Sequence, residues 1–346
     1  MAPAMQSPQE YLAYLTQVSR NRHDAWWLVS EQTGTPESRR TKLMATLRFF
    51  GQEQRATELE ALLDSEQLKS DLSPSLLGVV DQTARDLEEY LLPSEVEVFR
   101  RTVFGLLPLS AVDGFCVDRT PWGAKLDGYL VVLNEGLFIC AQLLAKAFLL
   151  ENLDGDLLEF KQPGVESYRR AIEHFLAPSA KHTNSVLFEG VPPDIEGALS
   201  AAQMQMTILL LQFVLLHEIG HAVHRDHELM AEYQFHVAGT QATVKQTERH
   251  WSAEYAADGY ALERILGHTT ADASRWANFV VIYVFFHWLS VVESVTGKPL
   301  CPLHPPPAVR GDALRKVMTD RVPLDSQTAA LVEKSFKVLE TWARLS

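Results

Sequence analysis

The stretch "HEIGHAVHRDH", residues 217–227, places His217, His221, His224 and His227 close together, with Glu218 beside the first. His217 and His221 are four residues apart. On a helix they share one face, so both imidazoles can hold one ion. The run before them, "TILLLQFVLL" (207–216), is apolar except for Thr207 and Gln212. A helix that is apolar nearly all round is a buried one. Two histidines and a glutamate at the end of such a helix need partners, and a metal ion supplies them.

The donor types point to zinc. Zinc held there lowers the pKa of a coordinated water toward about 7, and Glu218 is placed to accept its proton. Gly220, between the two histidines, costs about 1 kcal/mol of helix propensity against Ala, which fits close packing or the approach of a substrate.

Catalytic zinc keeps three protein ligands and an open position. His227 has the spacing of the extended pattern H-E-x-x-H-x-x-G-x-x-H, but His224 stands where that pattern has glycine. A non-glycine residue in the left-handed turn required there costs about 1–2 kcal/mol. With no turn residue in "AVHRDHELMAEY" the helix is expected to continue, which would point His227 away from the ion. The other candidate lies in "HWSAEYAADGYALERIL" (250–266), read as a second helix. Glu254 and Asp258 are four apart on one face. Glu254 can ligate zinc, and Asp258 can accept the second ring N–H of a ligand histidine. Ala256, Ala257 and Ala261 would let the two helices approach closely. Glu254 is favoured over His227.

H-E-x-x-H followed by E-x-x-A-D resembles the gluzincin zinc metallopeptidases. "EYAAD" supplies Glu254, Ala257 and Asp258 in register, and "HPPPAVR" (304–310) is similar to the His-Pro stretch with a downstream Arg in that family. The resemblance spans roughly residues 205 to 315. This span is similar to the prenyl-protein and heat-shock membrane proteases and their soluble relatives, and on general resemblance a soluble, bacterial phage-exclusion type of metallopeptidase is a nearer relative. The resemblance implies a zincin-like core with an active-site helix, Zn2+ as cofactor and peptide hydrolysis. By the same resemblance His304 and Arg310 are candidates to stabilise the oxyanion, catalytic residues beside Glu218.

Composition sets limits. Formal net charge is −13, which argues against a nucleic-acid surface and disfavours docking on anionic membranes. Cys116, Cys140 and Cys301 form no disulfide framework and suit a reducing compartment, so a cytoplasmic protein is expected. The N-terminus lacks the basic and apolar regions of a secretory signal. "WANFVVIYVFFHWLSVV" (276–292) approaches the roughly 20 apolar residues of a spanning helix. Asn278, His287 and Ser290 and the missing basic flank favour a core helix. His224, His250 and His287 are read as surface or structural.

The fold class expected is mainly α with a small β-sheet (α+β). Residues 1–95 read as an N-terminal helical region and 96–346 as the metallopeptidase domain. Strand signals begin near Val103; Tyr129–Leu133 is a strand that could pair at its edge with an extended substrate, and Asn134 starts a helix. Residues 187–197 read as loop, helices dominate from 198 to 292, and Pro and Gly suggest irregular chain over 296–311. A last helix is expected over 311–319 or 326–345. The function expected is zinc-dependent hydrolysis of a protein or peptide substrate. A zinc hydrolase of non-peptide amides, or a metal-stabilised regulatory protein with triggered activity, is the alternative. Glu218 favours an enzyme, since a purely structural zinc site has no use for it.

Overall fold

The computed structural model describes residues 6–20, 74–107, 112, 114–119, 124–152, 172, 193–224, 230–237, 240–247, 251–297 and 304–345. The elements run α1 (Pro8–Arg20), α2 (Pro74–Asp86), a 3-10 turn (Leu87–Tyr90), α3 (Val96–Arg100), β1 (Thr102–Leu107), β2 (Gly114–Arg119), β3 (Lys125–Asn134), α4 (Glu135–Asn152), α5 (Pro193–His224), β4 (Met230–Val237), β5 (Thr240–Thr247), α6 (Trp251–His268), α7 (Asp272–Thr296), α8 (Pro307–Arg321) and α9 (Ser326–Leu345). The fold is mainly helical with a small mixed sheet, as its class was read.

The sheet has the order β1-β3-β2. β1 runs parallel to β3, pairing Thr102 with Tyr129 through Leu107 with Asn134. β2 runs antiparallel on the other side, pairing Gly114 with Leu133 and Cys116 with Val131. β3 is therefore central. Residues 129–133 cannot take a substrate strand at their edge, because both sides are already hydrogen-bonded; the outer strands are β1 and β2. Sequence pattern marks a strand but not its place in the sheet order.

Alternate residues of β3 face opposite ways. Val131 and Leu133 join the helical core, and Leu130 and Val132 join a second cluster with Leu107, Val117 and Leu126, capped by Tyr11 and Leu15 of α1. Both faces are buried, which is why "YLVVL" is continuously apolar rather than alternating.

α5 carries the signature at its C-terminal end. Its two polar interruptions are satisfied. Thr207 Oγ1 donates to the Gln203 carbonyl at 2.8 Å, and Gln212 Nε2 meets the Tyr90 hydroxyl at 3.4 Å. By length and composition Ala201–His224 and Asp272–Thr296 are each long and apolar enough to cross a membrane, and more than half of each window is buried inside the fold.

Several local expectations change. Residues 193–197 are helical, because α5 opens on Pro193; proline is tolerated at a first helical turn, where its missing N–H has no partner. α8 likewise opens on Pro307, so residues 307–311 are helix rather than irregular chain. Both proposed C-terminal helices form, as α8 and α9. The signature helix is described to His224, and the next described residues form the antiparallel pair β4–β5. The expected continuation does not reach Met230–Tyr233, which are strand; His227, His250 and Cys301 lie outside the described residues, and the orientation of His227 with them.

Candidate metal centre

α5 and α6 pack side by side, and Gly220 shows why they can. A Cβ there would sit 3.2 Å from the Ala257 Cα and 3.2 Å from the Tyr260 ring. Ala257 and Ala261 are fully buried as this contact requires, whereas Ala256 is exposed and plays no part in it. The expected trio of small residues is thus a pair, since Ala256 lies on the outward side of α6.

That approach brings one ring nitrogen of His217, one of His221 and a carboxylate oxygen of Glu254 within 4.8 Å of one another, all buried. The two histidine Nε2 atoms face each other at 3.1 Å with the rings perpendicular. Glu254 Oε2 is 3.5 Å from His217 Nε2, and its Oε1 is 3.4 Å from His221 Nε2. On the far side of His217, Nδ1 lies 2.9 Å from Asp258 Oδ1. Glu218 is buried beside them.

α8 closes the cluster. Arg310 donates from Nε to Asp258 Oδ2 and from Nη2 to Asp258 Oδ1, each at 2.7 Å, and its Nη1 is 3.4 Å from Glu254 Oε2. Its guanidinium carbon lies 5.1 Å from the centre of the Phe286 ring on α7. Gly311 permits this seating, because a Cβ there would meet Phe286 Cβ at 3.2 Å and the Tyr283 ring at 3.3 Å. His304 Nε2 is 3.6 Å from Glu254 Oε1, and with its side chain 32% exposed it is the most accessible of these groups.

The electrostatics favour a cation at the point where the ligand atoms converge. Glu218, Glu254 and Asp258 face the guanidinium of Arg310 and, in the metal-free cluster, a protonated His217 whose place a metal ion would take. Burial pushes the His217 pKa down, but Asp258 and Glu254 outweigh it and raise it to about 9. Burial alone would raise the Glu254 pKa; contacts with His217 and His221 hold it far below the usual carboxylate range. For Asp258 burial is opposed chiefly by Arg310, and the net shift is also downward. Burial lowers the Arg310 pKa, and Asp258, Glu254 and Glu218 together drive it up. An ion would displace the proton of His217, leaving two neutral imidazoles and one carboxylate, a donor set that zinc accepts. The residues fit a metal.

All seven site residues read from sequence are thus gathered at one place, including His304 and Arg310 from beyond α7. Sequence reading missed the supports: Phe286, Tyr283 and Gly311 beneath Arg310, and Tyr260 against Gly220. The glycine before a helical "DALRKVM" run was a usable signal for close packing. Nothing in the pattern marks Phe286.

The family model Peptidase U49 matches residues 184–321, a span that holds the whole cluster. This supports a peptidase, and with it a protein substrate. No curated protein and no solved structure matches the chain.

Proposed function

We propose that the chain is a zinc-dependent endopeptidase of the gluzincin type, with His217, His221 and Glu254 as ligands and Glu218 as general base. The observation that carries this reading is the convergence of three buried ligand atoms within 4.8 Å, supplied by the H-E-x-x-H helix and the helix of Glu254. When bound, the ion would polarise the scissile carbonyl and activate water. Glu218 takes a proton from the attacking water and returns it to the leaving amine. Asp258 holds the ring of His217 through Nδ1. His304, half-exposed at the edge of the cluster, is the group we assign to the developing oxyanion. Arg310 is carried over from the resemblance as its companion. Its two bonds to Asp258 favour a holding role for the carboxylates instead.

Residues 96–346 would form the catalytic unit, working in the cytoplasm as the cysteine usage suggests. The test compares new protein termini in cells carrying the wild type or Glu218→Gln. Termini that vanish in the variant support peptidase action and identify substrates. Identical termini in both, or purified protein without zinc, would sink the proposal.

A further inference from the structure

The metal helices are held from behind by a set of residues outside the ligand cluster. We propose that Glu95, Arg264 and Tyr260 form a brace that fixes the slide of α6 along α5 and so positions Glu254 against His217 and His221. The proposal rests on the metal reading of the site.

Glu95 precedes α3 and is 7% exposed. Both of its oxygens are committed. Oε2 accepts the Leu92 backbone N–H at 2.8 Å, and Oε1 accepts Arg264 Nη2 at 2.6 Å. The carboxylate is therefore fixed to the chain that leads into β1. The Arg264 guanidinium carbon lies 4.8 Å from the centre of the Tyr260 ring. Tyr260 in turn stands against α5, at 3.2 Å from a Cβ on Gly220 and with its ring 5.7 Å from that of His224.

The geometry separates this set from the chemistry. At about 100° per residue, Tyr260 and Arg264 fall past Ala257 on the flank of α6 away from Glu254 and Asp258. Gly220 and His224 fall on the flank of α5 away from Glu218. The brace thus touches the interface of the two helices without touching the ligand atoms, so its members are positioning residues. Its mechanical role follows from scale. One residue of slide along a helix is about 1.5 Å, whereas ligand distances must hold to about 0.2 Å. Ala257 and Gly220 give close contact but little to stop sliding. A ring seated at Gly220 and tied through Arg264 to a fixed carboxylate supplies that stop.

The experiment measures the zinc dissociation constant of the full chain by competition with a chromophoric chelator, together with thermal unfolding of the metal-free protein. Glu95→Gln keeps shape but removes the negative charge that faces Arg264, and Tyr260→Leu removes the ring. Each is expected to weaken zinc binding about ten-fold, the lower range for groups that orient ligands from outside. Tyr260→Phe keeps the ring and is expected to bind zinc as the wild type does. Unchanged zinc affinity in both Glu95→Gln and Tyr260→Leu overturns the brace, even if both unfold at lower temperature, since a merely structural contact would do that much. If Glu95→Gln does not fold, the contrast between Leu and Phe at Tyr260 decides. Wild-type protein that binds no zinc overturns the metal reading itself, a failure seen before any variant is compared.

Discussion

Arg310 meets Asp258 edge to edge, with two donors on two oxygens at 2.7 Å each. The guanidinium side chain is 11% exposed and the carboxylate 1%, so neither charge has water to fall back on. Arg310→Met would leave Asp258 buried without its main counter-charge. Losing one partner of a buried pair typically costs about 3–5 kcal/mol, and urea unfolding of the metal-free protein should show a loss of that order. Arg310→Lys should recover only part of it, because an ammonium cannot reproduce the planar fork.

Glu218→Gln should keep zinc at about one ion per chain while hydrolysis falls by about 10²–10⁴, the usual contribution of a general base. Metal analysis and turnover of a substrate found by terminus mapping check the two halves separately.

The third ligand has a direct test. Glu254→Ala should lose the metal and His227→Ala should retain it, both measured as zinc per chain after gel filtration. The reverse result would move the third ligand to His227.

Much of this centre is legible in sequence because its parts are local. His217 and His221, or Glu254 and Asp258, need only the helical repeat to be placed on one face. What cannot be read is how separate helices meet. Glu95 and Arg264 are 169 residues apart, and no periodicity links them. The place of β3 inside the sheet is equally silent, since "YLVVL" would look the same at a doubly covered edge. The pair β4–β5 is a different case. Tyr233, Phe235 and Val237 alternate with polar residues, a strand pattern that the want of a turn residue ahead of it disguises as continuing helix. The proline-rich stretches are ambiguous for a related reason, because proline ends one helix and begins another with equal ease.

Gly220→Ala should destabilise the protein although alanine is the better helix former. The gain in propensity is about 1 kcal/mol. The added methyl would stand 3.2 Å from backbone and ring atoms of the facing helix, and overpacking of this kind costs about 1–3 kcal/mol. A lower thermal midpoint with weaker zinc binding is the expected result.

Acid should weaken the fold through His287. Burial lowers its pKa from 6.5 to about 4. Above pH 6.5 the ring is neutral whether the chain is folded or not, and the site costs nothing. As pH falls from 6.5 toward 4 the unfolded chain takes up a proton that the folded one refuses, so stability declines across that window. Urea midpoints of wild type and His287→Gln at pH 7 and about pH 4.5 should show a smaller acid loss in the variant.

The helix Pro8–Arg20 packs Tyr11 and Leu15 onto one face of the central sheet, against β1 and β3. A chain shortened to begin at residue 96, where the sequence suggests the catalytic unit starts, would uncover Leu107, Leu130 and Val132 on that face. Such a surface invites self-association. Trimming this protein to its chemistry would therefore put its solubility at risk before its activity could be measured.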